Sequence, residues 1–257
     1  ELQNTVVLPL NDLEACNQIL RAHKAELAAL ILEPVQRGFL VAEAEFLRGL
    51  RETTEALDIL LIFDEIMSGF RMEKLGAVQT LVGVDPDLMT LGKIIGGGFP
   101  CGAFLGSEEA MDIVNPVTRP PAERVFHGGT FNGHPTVLAA GLATLDVLEE
   151  PGTYPYLNRI SHQLRGGFNE LFDQMHVDAQ AVGPGSTFNV VFAKGTLRNY
   201  RDAAKADKKR RELFDFGLLA RGIHLHPDKP LYTCTAHSIE DVDRTLNSAE
   251  DVLKRMK

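Results

Sequence analysis

The sequence predicts an α/β fold: a mostly parallel sheet flanked by helices, followed by a smaller C-terminal α/β domain. Three observations carry this. Two largely apolar runs, residues 60–63 and 88–91, read as buried parallel strands, which carry apolar residues on both faces instead of alternating. Residues 27–64 run strand, helix, strand, the βαβ unit of a parallel sheet. Around residues 151–155 the composition breaks at Pro151 and Pro155, which places a domain boundary between residues 1–152 and 153–257.

The elements follow in order. Residues 5–10 read as a short strand, and Asn11 or Asp12 can cap a helix running to about Lys24. Residues 27–32 form the next strand, which Glu33-Pro34 ends because proline cannot donate to a ladder. Residues 43–56 have helical spacing, with Phe46, Leu47 and Leu50 on one side. After the two central strands, residues 103–105 add an edge strand, and residues 115–123, with three prolines, form a loop. Residues 134–150 form a long helix whose Ala139, Ala140, Gly141 and Ala143 allow close approach of another element. Beyond the boundary come helix 157–175, strand 187–193, helix 203–221, strand 222–226 and helix 239–256. The last helix begins at Ser238 with Asp241 as a capping box and buries Val242, Leu246, Ala249 and Leu253.

Composition narrows the function. The 257 residues are 44% hydrophobic and 24% charged, the balance of a globular protein with one large or two modest domains. A net charge of −9 argues against a nucleic-acid or acidic-membrane partner, since phosphate backbones require clustered Lys and Arg. The one basic run, residues 205–211, reads as a solvated helix face. Cys16, Cys101 and Cys234 are odd in number and far apart, which points to a reducing, cytoplasmic compartment without disulfides or a zinc site. No run reaches the roughly eighteen apolar residues of a membrane span. The opening Glu1-Leu2-Gln3-Asn4 has neither a methionine nor a signal-peptide pattern, so the chain is expected to begin inside something longer.

The chemistry concentrates where the central strands end. Asp64 closes the first apolar run and Lys93 follows the second. In an open α/β sheet the carboxyl ends of the strands face the ligand crevice, so both residues are expected to project into one pocket. The apolar neighbours of Lys93, Leu91 before it and Ile94-Ile95 after it, are expected to desolvate its amine and favour the neutral, nucleophilic form. A carboxylate across the pocket can pair with a protonated pyridine nitrogen, and Gly96, Gly97 and Gly98 allow the backbone to pass close to a ring. Those parts describe a pyridoxal 5'-phosphate (PLP) site. A structural alternative for Asp64 is an ion pair with Arg71. A phosphate loop is excluded, because Asp87 stands where its first glycine belongs and no Ser or Thr follows Lys93.

Five segments in the same order resemble class III PLP-dependent aminotransferases of fold type I, above all their glutamate-1-semialdehyde aminomutase branch. They are E-P-V-Q (33–36), D-E-I-M-S-G-F-R (64–71), L-G-K-I-I-G-G-G-F-P-C-G-A-F (91–104), G-G-T-F-N-G-H-P (128–135) and T-A-H-S-I-E-D-V-D (235–243). The resemblance implies that residues 1–152 are the C-terminal part of the large PLP-binding domain. It makes Lys93 the Schiff-base lysine, Asp64 the partner of the ring nitrogen, Ile66 an apolar contact to the ring face, and Thr130 a phosphate ligand supplied across a homodimer interface. Gln36 is either a cofactor contact or a strand-end hydrogen-bonding residue, and Thr130 has the simpler reading of a turn residue.

The implied activity is transamination or intramolecular amino transfer on a small amino or keto compound. The alternative is a catalytically silent aminotransferase-like subunit, because the family's N-terminal phosphate-binding and ring-stacking residues are not in this sequence. Met67 replaces the glutamine many relatives use for the ring hydroxyl, as in the aminomutase branch. The acid and arginine that ornithine and 4-aminobutyrate enzymes carry for the substrate carboxylate are absent around Arg37-Gly38-Phe39 and residues 226–230, which disfavours those substrates.

Overall fold

The computed structural model describes residues 4–74 and 76–256, so residues 1–3 of the opening tetrapeptide lie outside the described residues. The chain divides into two compact units, Glu1–Pro34 with Glu43–Glu150, and Val35–Ala42 with Pro151–Lys257. Residues 35–42, which the sequence places in the first part, belong to the second unit.

The first unit begins with α1 (Leu13–Ala22), capped by Asp12, whose carboxylate accepts from Ala15 N at 3.1 Å. It is followed by β1 (Ala29–Leu32), α2 (Ala44–Leu57), β4 (Leu60–Asp64), the short α3 (Ala77–Val82), β5 (Leu88–Gly92) and β6 (Gly102–Gly106). The strands lie in the order β1-β4-β5-β6, with β1/β4 and β4/β5 parallel and β6 an antiparallel edge. One face of the sheet buries Leu30, Leu61, Phe63, Met89 and Leu91, and the amphipathic helices contribute Cys16, Leu20, Phe46, Leu47 and Leu50 to the buried set. Burial pushes the Cys16 thiol up to about 11, and it donates to the Pro9 carbonyl at 3.2 Å. On the other face Ile31 and Leu60 are exposed in this chain. A short α4 (Glu108–Met111) and the proline loop lead to α5 (Pro135–Glu149).

The second unit contains the hairpin β2 (Val35–Gln36) and β3 (Leu40–Val41), then α6 (Thr153–Gln174), β7 (Gln180–Val182), β8 (Thr187–Val191), α7 (Tyr200–Ala203), α8 (Lys208–Leu219), β9 (Leu231–Tyr232) and α9 (Ile239–Arg255). Strands β7, β8 and β9 form an antiparallel sheet. Its core is aromatic: Phe168, Phe172, Phe188, Phe192 and Phe214 pack with ring centroids about 6 Å apart, closed by Ala249, Val252 and Leu253 of α9. The Ser238/Asp241 capping box is present.

Several expected elements differ. Residues 5–10 form no strand: Val7 is 83% exposed, Pro9 has no N–H to donate, and no described strand lies alongside. Helix α6 starts at Thr153, four residues earlier than expected, because Pro155 falls in its first turn, where the missing N–H costs nothing. The helix expected over residues 203–221 begins later: the short α7 ends at Ala203, and α8 starts at Lys208, where Asp207 turns its carboxylate onto Arg210 N at 2.9 Å. Residues 222–226 are not a strand. Ile223 and Leu225 pack on the aromatic core, but the ladder to β8 is made by Leu231 and Tyr232. Strand β7 was not foreseen at all.

The basic run is not wholly solvated. Arg211 is buried, its Nε 2.7 Å from both oxygens of Asp215, and its other nitrogens donate to Asn189, to the Val190 carbonyl and to the Lys229 carbonyl. Asp215 also accepts from Asp228 N at 2.8 Å, so the pair ties α8 to β8 and to the 226–230 turn. Removing one member of such a pair strands the other's charge in the interior. Arg211→Ala should therefore lower the unfolding free energy of this unit by roughly 3 to 5 kcal/mol, measurable as a shift of the urea midpoint.

Candidate functional site

The site grows from the C-terminal ends of β4 and β5. Their parallel register pairs Asp64 with Thr90, and β6 sets Phe104 opposite Thr90, so the three side chains share one sheet face. Asp64 Oδ1 accepts two hydrogen bonds at 3.1 Å, one from Ile66 N in an Asx turn and one from Thr90 Oγ1. Asp64 Oδ2 accepts none among the described residues. Arg71 is not its partner. Beside it, Glu65 is buried and accepts from the Ser68 hydroxyl.

Lys93 stands immediately after β5, where the chain leaves the sheet in a 3-10 turn, Lys93–Gly96. Its φ of 49° is left-handed, a conformation that costs a non-glycine residue about 1–3 kcal/mol and that recurs where function fixes a side chain. The expected desolvation is not found. Lys93 is exposed and its amine has no hydrogen bond or ion pair among the described residues, because the turn lifts it beyond the strand end while Leu91 and Gly92 stay buried. Ile66 links the two residues: its amide holds Asp64, and its Cγ2 lies so near Gly92 that an added Cβ there would meet it at 3.1 Å.

The glycine turn is braced by α5. Gly97, at φ 56°, approaches so closely that a Cβ would lie 2.3 Å from the Ala140 carbonyl oxygen, and a Cβ on Gly141 would lie 2.4 Å from that of Ile95. The small residues of this helix thus serve contact with the lysine turn. Thr130 sits in the exposed loop before α5, where Asn132 N donates to Gly129 O at 3.0 Å and Asn132 Nδ2 lies 3.3 Å from His127 Nε2. His127 packs edge-on against Phe104, centroids 5.0 Å apart.

The structure therefore sets Asp64 and Ile66 at the end of β4, and Lys93 just past the end of the adjacent β5. Thr130 lies in a loop that leads into the bracing helix. Gln36 belongs to the second unit, paired with Leu40 in the β2–β3 hairpin. Thr90 was missed by the sequence reading, though a lone polar residue inside an apolar strand was a signal for it.

The pattern of the family described as aminotransferase class-III matches residues 3–248. The chain belongs to that family. Among solved structures, it is similar to a beta-phenylalanine aminotransferase from Variovorax paradoxus (33% identity, TM-score 0.89, 97% of this chain and 57% of that one). An omega-transaminase from Sphaerobacter thermophilus matches at 36% identity and TM-score 0.90 over the same shares. A glutamate-1-semialdehyde-aminomutase from Pseudomonas aeruginosa PAO1 matches at 27% and 0.87, over 98% of this chain and 57% of that one. The chain thus spans little more than half the length of these relatives.

Class-III aminotransferases depend on PLP, and the residues present fit that cofactor. An accessible primary amine and a carboxylate oxygen without a protein donor stand at adjacent strand ends, with an apolar side chain between them. The bracing by α5 can be tested directly. Gly141→Ala forces a methyl group against the Ile95 carbonyl and should destabilise the protein by about 1–3 kcal/mol, and cofactor retention on gel filtration should fall with it.

Proposed function

We propose that the full-length protein catalyses PLP-dependent amino transfer on a small amino or keto compound, with Lys93 as the catalytic amine. The observation that supports this most is the pairing of a free Lys93 amine with the open Oδ2 of Asp64 at the ends of two adjacent parallel strands. PLP, when bound, supplies the carbonyl that an amine can attack and a ring that withdraws electrons from the substrate carbon. Lys93 would supply the nucleophilic amine for that carbonyl and would act as general base and acid, moving a proton at the reacting carbon. With PLP bound, Asp64 would hold the ring nitrogen protonated through Oδ2, and Ile66 would offer an apolar side chain to the ring. The free thiols Cys16, Cys101 and Cys234 suit a reducing compartment such as the cytoplasm.

Borohydride treatment of the holoenzyme should fix the cofactor to the peptide carrying Lys93, and Lys93→Ala should abolish that label. A label of equal yield in the variant would remove Lys93 from this role.

We assign Thr130 to the phosphate of a partner subunit in a homodimer. Its loop is exposed, with Phe131 80% accessible beside it, as a segment that reaches a neighbour must be. Cofactor affinity is then coupled to dimerisation by mass action. Thr130→Ala should weaken PLP binding by about 0.5–1.5 kcal/mol, or up to roughly 3 if the phosphate charge dominates, with the subunit still folded. A monomer that binds PLP as tightly as the dimer would overturn this.

A further inference from the structure

Asp64 has two carboxylate oxygens, and the fold treats them differently. Oδ1 takes both protein donors, the Ile66 amide and the Thr90 hydroxyl, each at 3.1 Å. They come from different elements: Ile66 is local to Asp64, two residues on, whereas Thr90 belongs to the neighbouring strand. A carboxylate held by the local amide alone could still rotate about its terminal torsion, which is broad for Asp. The second donor defines a plane through Oδ1 and so fixes where Oδ2 points.

Thr90 is itself well placed to do this. Its backbone carbonyl accepts from Glu65 N at 3.0 Å, so the same residue also holds the backbone just after Asp64. As a β-branched residue in a strand it has restricted χ1 freedom, which limits the positions its hydroxyl can take. It lies on the sheet face shared with Phe104, the face Asp64 uses.

We infer that Thr90 is a positioning residue for the cofactor: by occupying Asp64 Oδ1 it commits Oδ2 to the pyridine nitrogen and keeps that nitrogen protonated. This rests on the proposed PLP reading of the site. Thr90 touches neither the cofactor nor the substrate in this scheme and acts through the carboxylate.

The test uses the full-length holoenzyme reconstituted with PLP labelled with 15N in the ring. Thr90→Val keeps the branched shape and removes only the hydroxyl. It should shift the ring 15N resonance toward the neutral-pyridine position and weaken PLP binding roughly threefold to tenfold, as expected for partial loss of a hydrogen bond to a charged group. The turnover number should fall while KM for the amino donor stays within about twofold, because substrate contacts are untouched. Thr90→Ser, which restores the hydroxyl, should return the 15N shift toward the parent; Thr90→Ala replaces the valine variant if that one does not fold. A parental 15N shift and PLP affinity in both hydroxyl-free variants, or a serine variant indistinguishable from them, overturns the inference. Asp64→Asn separates the two levels: if it too leaves the ring nitrogen unchanged, the PLP reading of Asp64 fails and the inference with it. If it moves the resonance while Thr90→Val does not, only the role of Thr90 is lost.

Discussion

The register of β4 against β5 is the constraint on which the site depends, because side chains alternate between faces with a period of two. A slip of one residue would turn Asp64 toward the packed face and Phe63 toward the open one. The structure clamps this register at both ends. At the start, Asp87 Oδ2 accepts from Leu61 N at 2.7 Å and from Arg51 at 2.9 Å, while Asp87 N donates to Leu61 O at 2.8 Å. At the other end Glu65 N donates to Thr90 O. The aspartate that excluded a phosphate loop is thus a register pin joining both strands to α2.

Position alone does not make Lys93 an effective amine. Its left-handed backbone costs energy, and such strain persists only where the surroundings over-determine it. Here the surroundings are the glycine turn and α5, whose approach leaves no space for a Cβ at Gly97 or Gly141. The helix holds the turn, and the turn holds the amine beyond the strand end. The low-dielectric setting a nucleophilic lysine uses is not built by this chain's own neighbours, since Lys93 is exposed among them. For amino transfer, that environment has to come from whatever closes over the strand ends.

What the sequence made legible were features with a local cause: helix caps at Asp12 and Ser238, the apolar faces of α1, α2 and α9, and the continuous runs of the parallel strands. Its failures share a different cause. Residues 5–10 and 222–226 have strand-like composition, but a ladder requires a partner, and the partner of β8 proved to be residues 231–232. Arg211 looked like one charge in a basic run because only tertiary packing turns it toward Asp215, Asn189 and Lys229. The places of Asp64 and Lys93 at the ends of adjacent strands could be read from strand-end logic alone. Thr90 could not be placed beside Asp64 without the register.

Comparison of the acids inside this chain explains why Asp64 suits a ligand and the others do not. Asp215 has both oxygens engaged by Arg211 and a further bond from Asp228 N, so its charge is spent on the fold. Asp87 likewise divides one oxygen between a guanidinium and a strand amide. Asp215 is buried, so a missing partner there would leave a charge uncompensated in the interior, a cost of several kcal/mol. Asp64 has two neutral donors, both on one oxygen, and no cation within the described residues. Two such bonds orient a carboxylate without neutralising it. A cation reaching the open oxygen, such as a protonated ring nitrogen, would meet a carboxylate whose orientation the fold has already fixed.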